Sequence, residues 1–459
     1  MRSVFFLLLS THLFCHQLQQ DWSSSIDFHS TILKSVCNGD FSALEIGCNE
    51  GCYLGKKYPS LCHITVDENQ HLLQKLIETH EFKNNFFRSK RQFFPPRRQF
   101  FRPKHQLIYN FALDSGFLNA KIKSLAPKKT FKELLFRAYQ DGSKNQIKLI
   151  KTDLQGGEEF IIEDVFDTIN TNSGAALIKL YPDQWQEINK EEILSYFQFF
   201  DFYHQGAKIE DLKRFLDEET NPIVCILPKK NNNFLKKNPT VLIIAYNLST
   251  FVQKMVDQVQ KYTKDIVILD NASFFPPLLN YYETSYPYTL FRMDRNYGHT
   301  IYKEKFLENI VAPRHFITDP DLCFNPCLPE NFMQDLIAIQ DNFKHYRVGL
   351  ALDIFSDDIN ENLFIGNGIS VKEWEGPHWV KKMVMESRPD FELYQAAIDT
   401  TFCLIDRRFN LERFDLGIRV AGKYTCKHIP WHKDFELQLQ PGEMQAYLER
   451  NRSSNWILK

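Results

Sequence analysis

On either side of one break, short apolar runs alternate with segments of helical period. That alternation confines each half of the chain to α/β units around a mainly parallel sheet. The break is Pro228–Pro239, PKKNNNFLKKNP, whose prolines, four lysines and consecutive asparagines have the composition of an exposed linker. It sets one domain over residues 27–227 and a second over residues 240–459. The total of 459 residues agrees with two or three domains at roughly 150 residues each.

In the first half, Ser42–Gly47 reads as a buried strand ending in a glycine turn, and His63–Asp67 as a second strand ending in an acid. Leu72, Leu73, Leu76 and Ile77 form one helical face. Leu107–Leu113, Ile147–Asp153 and Ala176–Leu180 are further strands. In the second half, Thr240–Tyr246 opens as a strand, followed by Val252, Met255, Val256 and Val259 at the spacing of a helix packed on a sheet. Asp265–Asp270, Tyr288–Met293 and His315–Thr318 are the next strands.

Charge narrows the class of partner. With 55 basic against 57 acidic residues the chain lacks the basic excess of a nucleic-acid binder. The stretch Lys83–Lys104 is locally basic, interleaved with phenylalanines, and repeats RQFF at Arg91–Phe94 and Arg98–Phe101. It reads as a solvated surface insertion, or as a patch for an anionic ligand. The N-terminus has Arg2 before the apolar run Val4–Phe14, too short to span a bilayer, which points to a secretory signal over residues 1–20. Entry into the endoplasmic reticulum or Golgi lumen, or secretion, is the matching localisation. No integral membrane segment is expected after it. Setting aside Cys15, the cysteines are odd in number, so they cannot all pair within the chain, though one or two disulfides are permitted.

The first half carries a ligand-binding pattern. Glu45-Ile46-Gly47-Cys48-Asn49-Glu50-Gly51 follows a strand, and a glycine turn there lets a ligand approach the backbone. Asp67 ends the next strand, roughly 20 residues on, where a carboxylate accepts from ribose hydroxyls. With Tyr109–Gly116, Thr130–Leu135 and Leu149–Phe160 in that order, residues 41–206 resemble the FkbM-type S-adenosylmethionine-dependent methyltransferases. The resemblance implies a class I methyltransferase-like Rossmann domain. It puts Glu45, Gly47, Asn49 and Gly51 in the methionine pocket, Asp67 on the ribose, and Asp153 and Glu158 at the active site. Gln155 stands where the family has a glutamate, and Gly157 where alanine is usual.

The second half carries Thr318-Asp319-Pro320-Asp321-Leu322 after a strand, and two carboxylates one residue apart can hold a hard divalent cation. Together with Thr240–Asn247, Asp270-Asn271-Ala272-Ser273 and Asn296-Tyr297-Gly298-His299, the order resembles a GT-A-fold glycosyltransferase of the inverting family 2 type over residues 239–431. The fold class implied is thus α/β with two Rossmann-like domains. The resemblance implies Mn²⁺ or Mg²⁺ on Asp319 and Asp321, and a nucleotide-sugar donor with its base or ribose on Asp270. It also implies a glycan or other hydroxyl acceptor. An inverting reaction needs a general base; Asp399 and, as its rival, Glu375 are the candidates, and Asp399 reads equally as a helix cap. His428 either completes the metal shell or is structural. The sequons at Asn247 and Asn271 lie inside these motifs and are expected to carry no glycan, which leaves Asn451 as the better acceptor.

Three functions are compatible with this pattern. The first is a glycosyltransferase whose N-terminal domain O-methylates a sugar of the same glycan. The others are a secreted glycan-binding protein of two decayed enzyme modules, and a methyltransferase with a non-catalytic second domain.

Overall fold

The computed structural model describes most of residues 128–449, apart from short gaps such as 155–160, 400 and 410–415. Before residue 128 it describes Leu33 and a few strands. The chain divides into two compact units, Met1–Lys236 and Lys237–Lys459. Glu158, Gln155 and the glycine loop after Ile46 lie outside the described residues, as do the apolar N-terminus, Asn451, the Leu72–Ile77 face and most of the basic stretch.

The first unit is built on a nine-stranded sheet. Phe86–Arg88, Gln106–Asn110, Cys62–Asp67, Ser42–Ile46, Ile147–Thr152 and Ala175–Lys179 lie side by side and parallel. Ile223–Pro228, Phe200–His204 and Ala207–Lys208 extend it antiparallel. The helix Ile162–Thr171 buries Ile162, Val165, Phe166 and Ile169, one stripe at helical spacing, and Phe166 stacks on Phe200 with centroids 4.5 Å apart.

The segment read as an exposed linker is instead partly tied down on this unit. Phe234 is buried against Tyr196, Phe199 and Phe200, with ring centroids 5.2–5.6 Å away. Asn232 Nδ2 donates to the Phe199 carbonyl at 2.7 Å, and Lys236 pairs with Asp164 at 2.8 Å. One aromatic side chain outweighs the polar residues around it, because its burial contributes about 1.5–3 kcal/mol while Lys229 and Lys236 keep their charged ends on a carbonyl and on carboxylates.

The second unit is also a nine-stranded sheet. Thr289–Arg292, Ile266–Asp270, Val241–Ala245 and Arg314–Thr318 are parallel. Beyond them come Cys403–Asp406, Arg347–Leu350, Gly417–Val420, Leu393–Ala396 and Lys382–Met383 in mixed orientation. This half corrects the expectation of a mainly parallel sheet. The connection between Lys382–Met383 and Leu393–Ala396 is too short for a crossover helix, so the chain returns antiparallel. The helix Ser249–Val259 buries Val252, Met255, Val256 and Val259 against the sheet, as their spacing predicts. Its first turn is closed from far along the chain: Glu443, at the start of the helix Glu443–Leu448, accepts from Thr250 N at 2.6 Å and from Thr250 Oγ1 at 2.7 Å.

Gly349 faces Cys403 across the sheet, and a Cβ on it would stand 2.5 Å from the Cys403 Cβ. Gly349→Ala is therefore expected to destabilise the second unit by about 1–3 kcal/mol, read as a lowered urea midpoint with unchanged slope. Among the described residues Cys323, Cys327, Cys403 and Cys426 are free thiols, and no helix is long and apolar enough to cross a membrane.

Candidate functional site

In the second unit the carboxyl ends of Val241–Ala245, Ile266–Asp270 and Arg314–Thr318 open onto a cavity of about 450 Å³. Ligands of open α/β sheets bind at this edge, where loops leave the strands and backbone groups point outward. Asp319 and Asp321 leave the strand Arg314–Thr318 directly into the cavity wall.

Two short strands then close the acidic corner. Leu322–Cys323 pairs antiparallel with Lys427–His428, placing Leu322 opposite His428. Ile429 N donates to the Asp321 carbonyl at 2.8 Å, and Lys427 is held by Asp358 at 2.7 Å. This pairing brings His428 Nε2 to 3.4 Å from Asp321 Oδ2, and the Trp431 ring packs edge-on against the imidazole at 4.6 Å. Asp321 Oδ1 and His428 Nδ1 are both buried and have no hydrogen-bond partner among the described residues. Buried polar atoms are ordinarily satisfied, so each of these orphans calls for a partner that the described residues do not supply.

The donor set suits a hard or borderline cation, a carboxylate beside an imidazole. Among the described residues no three His, Cys, Asp or Glu side chains converge closely enough to hold a metal ion by themselves. Asp319, Asp321 and His428 thus line one cavity without forming a closed protein cage.

Opposite groups give the cavity its electrostatics. Glu375, at the end of the helix Val371–Glu375, forms a buried ion pair with Arg419 of the strand Gly417–Val420. Burial pushes the Glu375 carboxyl up, while Arg419 pulls it back down. Arg419 Nε also donates to the Ala397 carbonyl at 2.7 Å. His378 on the same wall is lowered to about 4, first by burial and then by the Arg419 charge, so it is neutral near pH 7. Asp399 lines the cavity from an exposed position, and its carbonyl accepts from the Arg347 guanidinium at 3.2 Å.

Asp270 is placed differently. It is fully buried beneath the cavity wall, where it accepts from Ser273 N and Tyr282 OH, each at 3.1 Å, with Arg292 at 3.7 Å. Burial raises its carboxyl. Its neighbour Asn271 reaches the cavity instead, accepting from Tyr297 N at 3.0 Å and donating to the Gly298 carbonyl at 3.2 Å, which pins the Asn296–His299 loop. Asn247 is equally committed, donating to the Ala446 carbonyl and accepting from Phe274 N and Phe275 N. Both asparagines are buried, so neither sequon offers its amide to a glycan-transferring enzyme.

In the first unit, Cys62–Asp67 and Ile147–Thr152 flank Ser42–Ile46 in parallel, so Asp67 and Asp153 fall at the same sheet edge where Ile46 ends. Asp153 is buried and accepts from Tyr181 OH at 2.9 Å. The side chains of Glu45 and Asp67 lie outside the described residues, as do Gly47, Asn49, Gly51 and Glu158.

Arg419 was missed in the sequence. A signal was present: an arginine inside the apolar strand Gly417-Ile418-Arg419-Val420 must find a buried partner.

No family profile and no curated protein matches the chain. Among solved structures it is similar to the mannosyltransferase PcManGT from Pyrobaculum calidifontis in complex with GDP-Man and Mn2+, at 19% identity and a TM-score of 0.22. The match covers 26% of this chain and 37% of that one.

Proposed function

We propose that the second unit is a metal-dependent inverting glycosyltransferase, moving a sugar from a nucleotide donor to a hydroxyl acceptor. The observation that carries this reading is the pair of buried, unpartnered atoms, Asp321 Oδ1 and His428 Nδ1, on the wall of a cavity at the carboxyl edge of the parallel strands. Asp321, His428 and Asp319 would hold a divalent cation, whose chemistry when bound is to neutralise the charge of a departing diphosphate. Asn271, Asn296, Gly298 and His299 line the cavity and would bound the donor there. Asp399 is the better base of the two candidates. Its carboxylate lies on the exposed cavity wall, whereas Glu375 is committed to Arg419. A base must reach the acceptor proton before its pKa matters.

For the first unit the proposal is methylation of a sugar of the same glycan with S-adenosylmethionine as donor, in a chain of the secretory pathway. Its support is topological: Asp67 and Asp153 sit at one edge of a parallel sheet.

The test is calorimetry of the full chain against a panel of nucleoside diphosphates, with and without Mn²⁺. One nucleotide is expected to bind at least about tenfold more tightly with the metal, ~1.4 kcal/mol. Equal affinity with and without Mn²⁺ for every nucleotide would overturn the metal assignment, and no binding at all would overturn the donor site.

A further inference from the structure

We propose that Trp374 is the acceptor platform of the cavity in the second unit, and that the acceptor it selects is an uncharged sugar ring. The indole lines the cavity wall and keeps 42% of its surface exposed, although most large apolar side chains of this unit are buried. Trp379, on the same segment, commits its ring to Phe355 and Tyr394. Trp374 has no ring partner among the described residues. An open aromatic face inside a cavity is apolar area that a ligand can cover, with a polar N–H at its edge.

That face is held in place. It belongs to the short helix Val371–Glu375, whose start is closed by the capping box of Ser370 and Glu373. Its last residue, Glu375, is fixed by the buried ion pair with Arg419, and Arg419 Nε reaches on to the Ala397 carbonyl at 2.7 Å. One guanidinium therefore ties the helix of Trp374 to the segment that carries Asp399. Arg347 also holds that segment, donating to the Asp399 carbonyl at 3.2 Å. Trp374 and Asp399 thus line one cavity from two stretches of backbone clamped by the same arginine. A binding group on a fixed support loses little entropy when its ligand arrives.

The neighbouring groups decide what stacks there. His378 and Thr401, close to Trp374 and Asp399 along the chain, line the same cavity. Burial and the Arg419 charge keep His378 neutral near pH 7, so its ring offers one donor and one acceptor. Thr401 Oγ1 is buried and has no hydrogen-bond partner among the described residues. An apolar face beside uncharged hydrogen-bonding groups matches a pyranose, whose C–H face stacks on the indole while its hydroxyls pair at the rim. A carboxylate or phosphate on the acceptor is disfavoured. Arg419 is the one arginine or lysine among the described lining residues, it is committed to Glu375, and Asp399 repels an anion. A serine or threonine of a peptide presents no comparable C–H face to the indole. The assignment of this sugar as acceptor rests on the transferase reading, whereas its binding needs neither donor nor metal.

The test is saturation-transfer NMR of the full chain with the methyl glycosides of glucose, galactose, mannose and N-acetylglucosamine, and with methyl glucuronide, for wild type, Trp374→Ala, Trp374→Phe and Trp379→Phe. At least one neutral glycoside is expected to receive saturation by ~10 mM, where even a millimolar site is filled, and most strongly on the C–H protons of one ring face. Trp374→Ala should lose about tenfold or more of that affinity, Trp374→Phe should recover part of it, and Trp379→Phe should bind like wild type. Methyl glucuronide should bind about tenfold more weakly than the neutral sugar. The Trp374 side chain is half exposed, and thermal melts check that the variants stay folded. No transfer to any neutral glycoside, transfer unchanged in Trp374→Ala, or equal transfer to the glucuronide would overturn the proposal. Glycoside binding through Trp374 in a chain that binds no nucleotide would remove the transferase reading and leave a sugar subsite; nucleotide binding without glycoside binding would do the reverse.

Discussion

Asp321→Ala is expected to lower Mn²⁺-dependent sugar transfer by about 10²–10³-fold, the loss of roughly 3–4 kcal/mol of transition-state stabilisation. Asp319→Ala is expected to act in the same direction, since both carboxylates enter the cavity from one turn. The stability readout should separate this from misfolding. Asp321 Oδ1 has no hydrogen-bond partner among the described residues, and Oδ2 faces only a histidine 3.4 Å away. Removing a buried, poorly satisfied carboxylate releases a desolvation penalty, so the melting temperature should hold or rise while transfer falls. Transfer kinetics and a melt on the same preparation check both halves, and full activity in Asp321→Ala would remove the metal role.

The second large effect is on stability. Arg419→Met leaves Glu375 buried without its guanidinium and is expected to cost about 3–5 kcal/mol at neutral pH. For a unit of this size that is a fall of about 10 °C in melting temperature. The pH dependence has a definite sign. Burial already raises the Glu375 carboxyl, and losing Arg419 removes its main opposing pull, so the folded-state pKa rises further above the unfolded value. The folded state of the variant then takes up a proton that the unfolded chain still lacks. The deficit is therefore largest above the raised pKa and shrinks as pH falls toward the ordinary carboxylate range. Denaturant unfolding of both proteins from pH 8 down to pH 5 measures it. A deficit that stays constant across that range would mean that Glu375 is not the group left uncompensated.

Local patterns were legible. Thr240–Tyr246 and the helical stripe from Val252 to Val259 are recovered as strand and helix because apolar periodicity and burial coincide there. The Asp319–Asp321 turn falls at a cavity because its strand is central and parallel. Features set by distant partners were not legible. His428 meets Asp321 through a two-residue strand pairing between segments about a hundred residues apart. Glu375 carries no mark in its own segment that Arg419 neutralises it, and so was raised as a base. Asp270 ends a strand as expected, yet Tyr282 and Arg292 enclose it below the wall, leaving the cavity to Asn271. Phe234 looked like one aromatic residue in a polar linker because Tyr196, Phe199 and Phe200 come earlier in the chain.

The contacts that tie the end of the chain to its first strand–helix turn bear on how this unit is made. Tyr246 OH donates to the Glu449 carbonyl at 2.6 Å, Asn247 Nδ2 to the Ala446 carbonyl at 2.8 Å, and Glu443 closes the turn at Thr250. A ribosome releases Tyr246 and Thr250 about two hundred residues before their partners exist. These bonds, on the side of the cavity that is synthesised earliest, are therefore among the last that the unit can form. Pairings of such long range fold slowly because loop closure precedes the contacts that reward it. Until residues 443–449 emerge, a nascent chain holds a sheet whose ligand edge is still open, and that interval is when it most needs a chaperone.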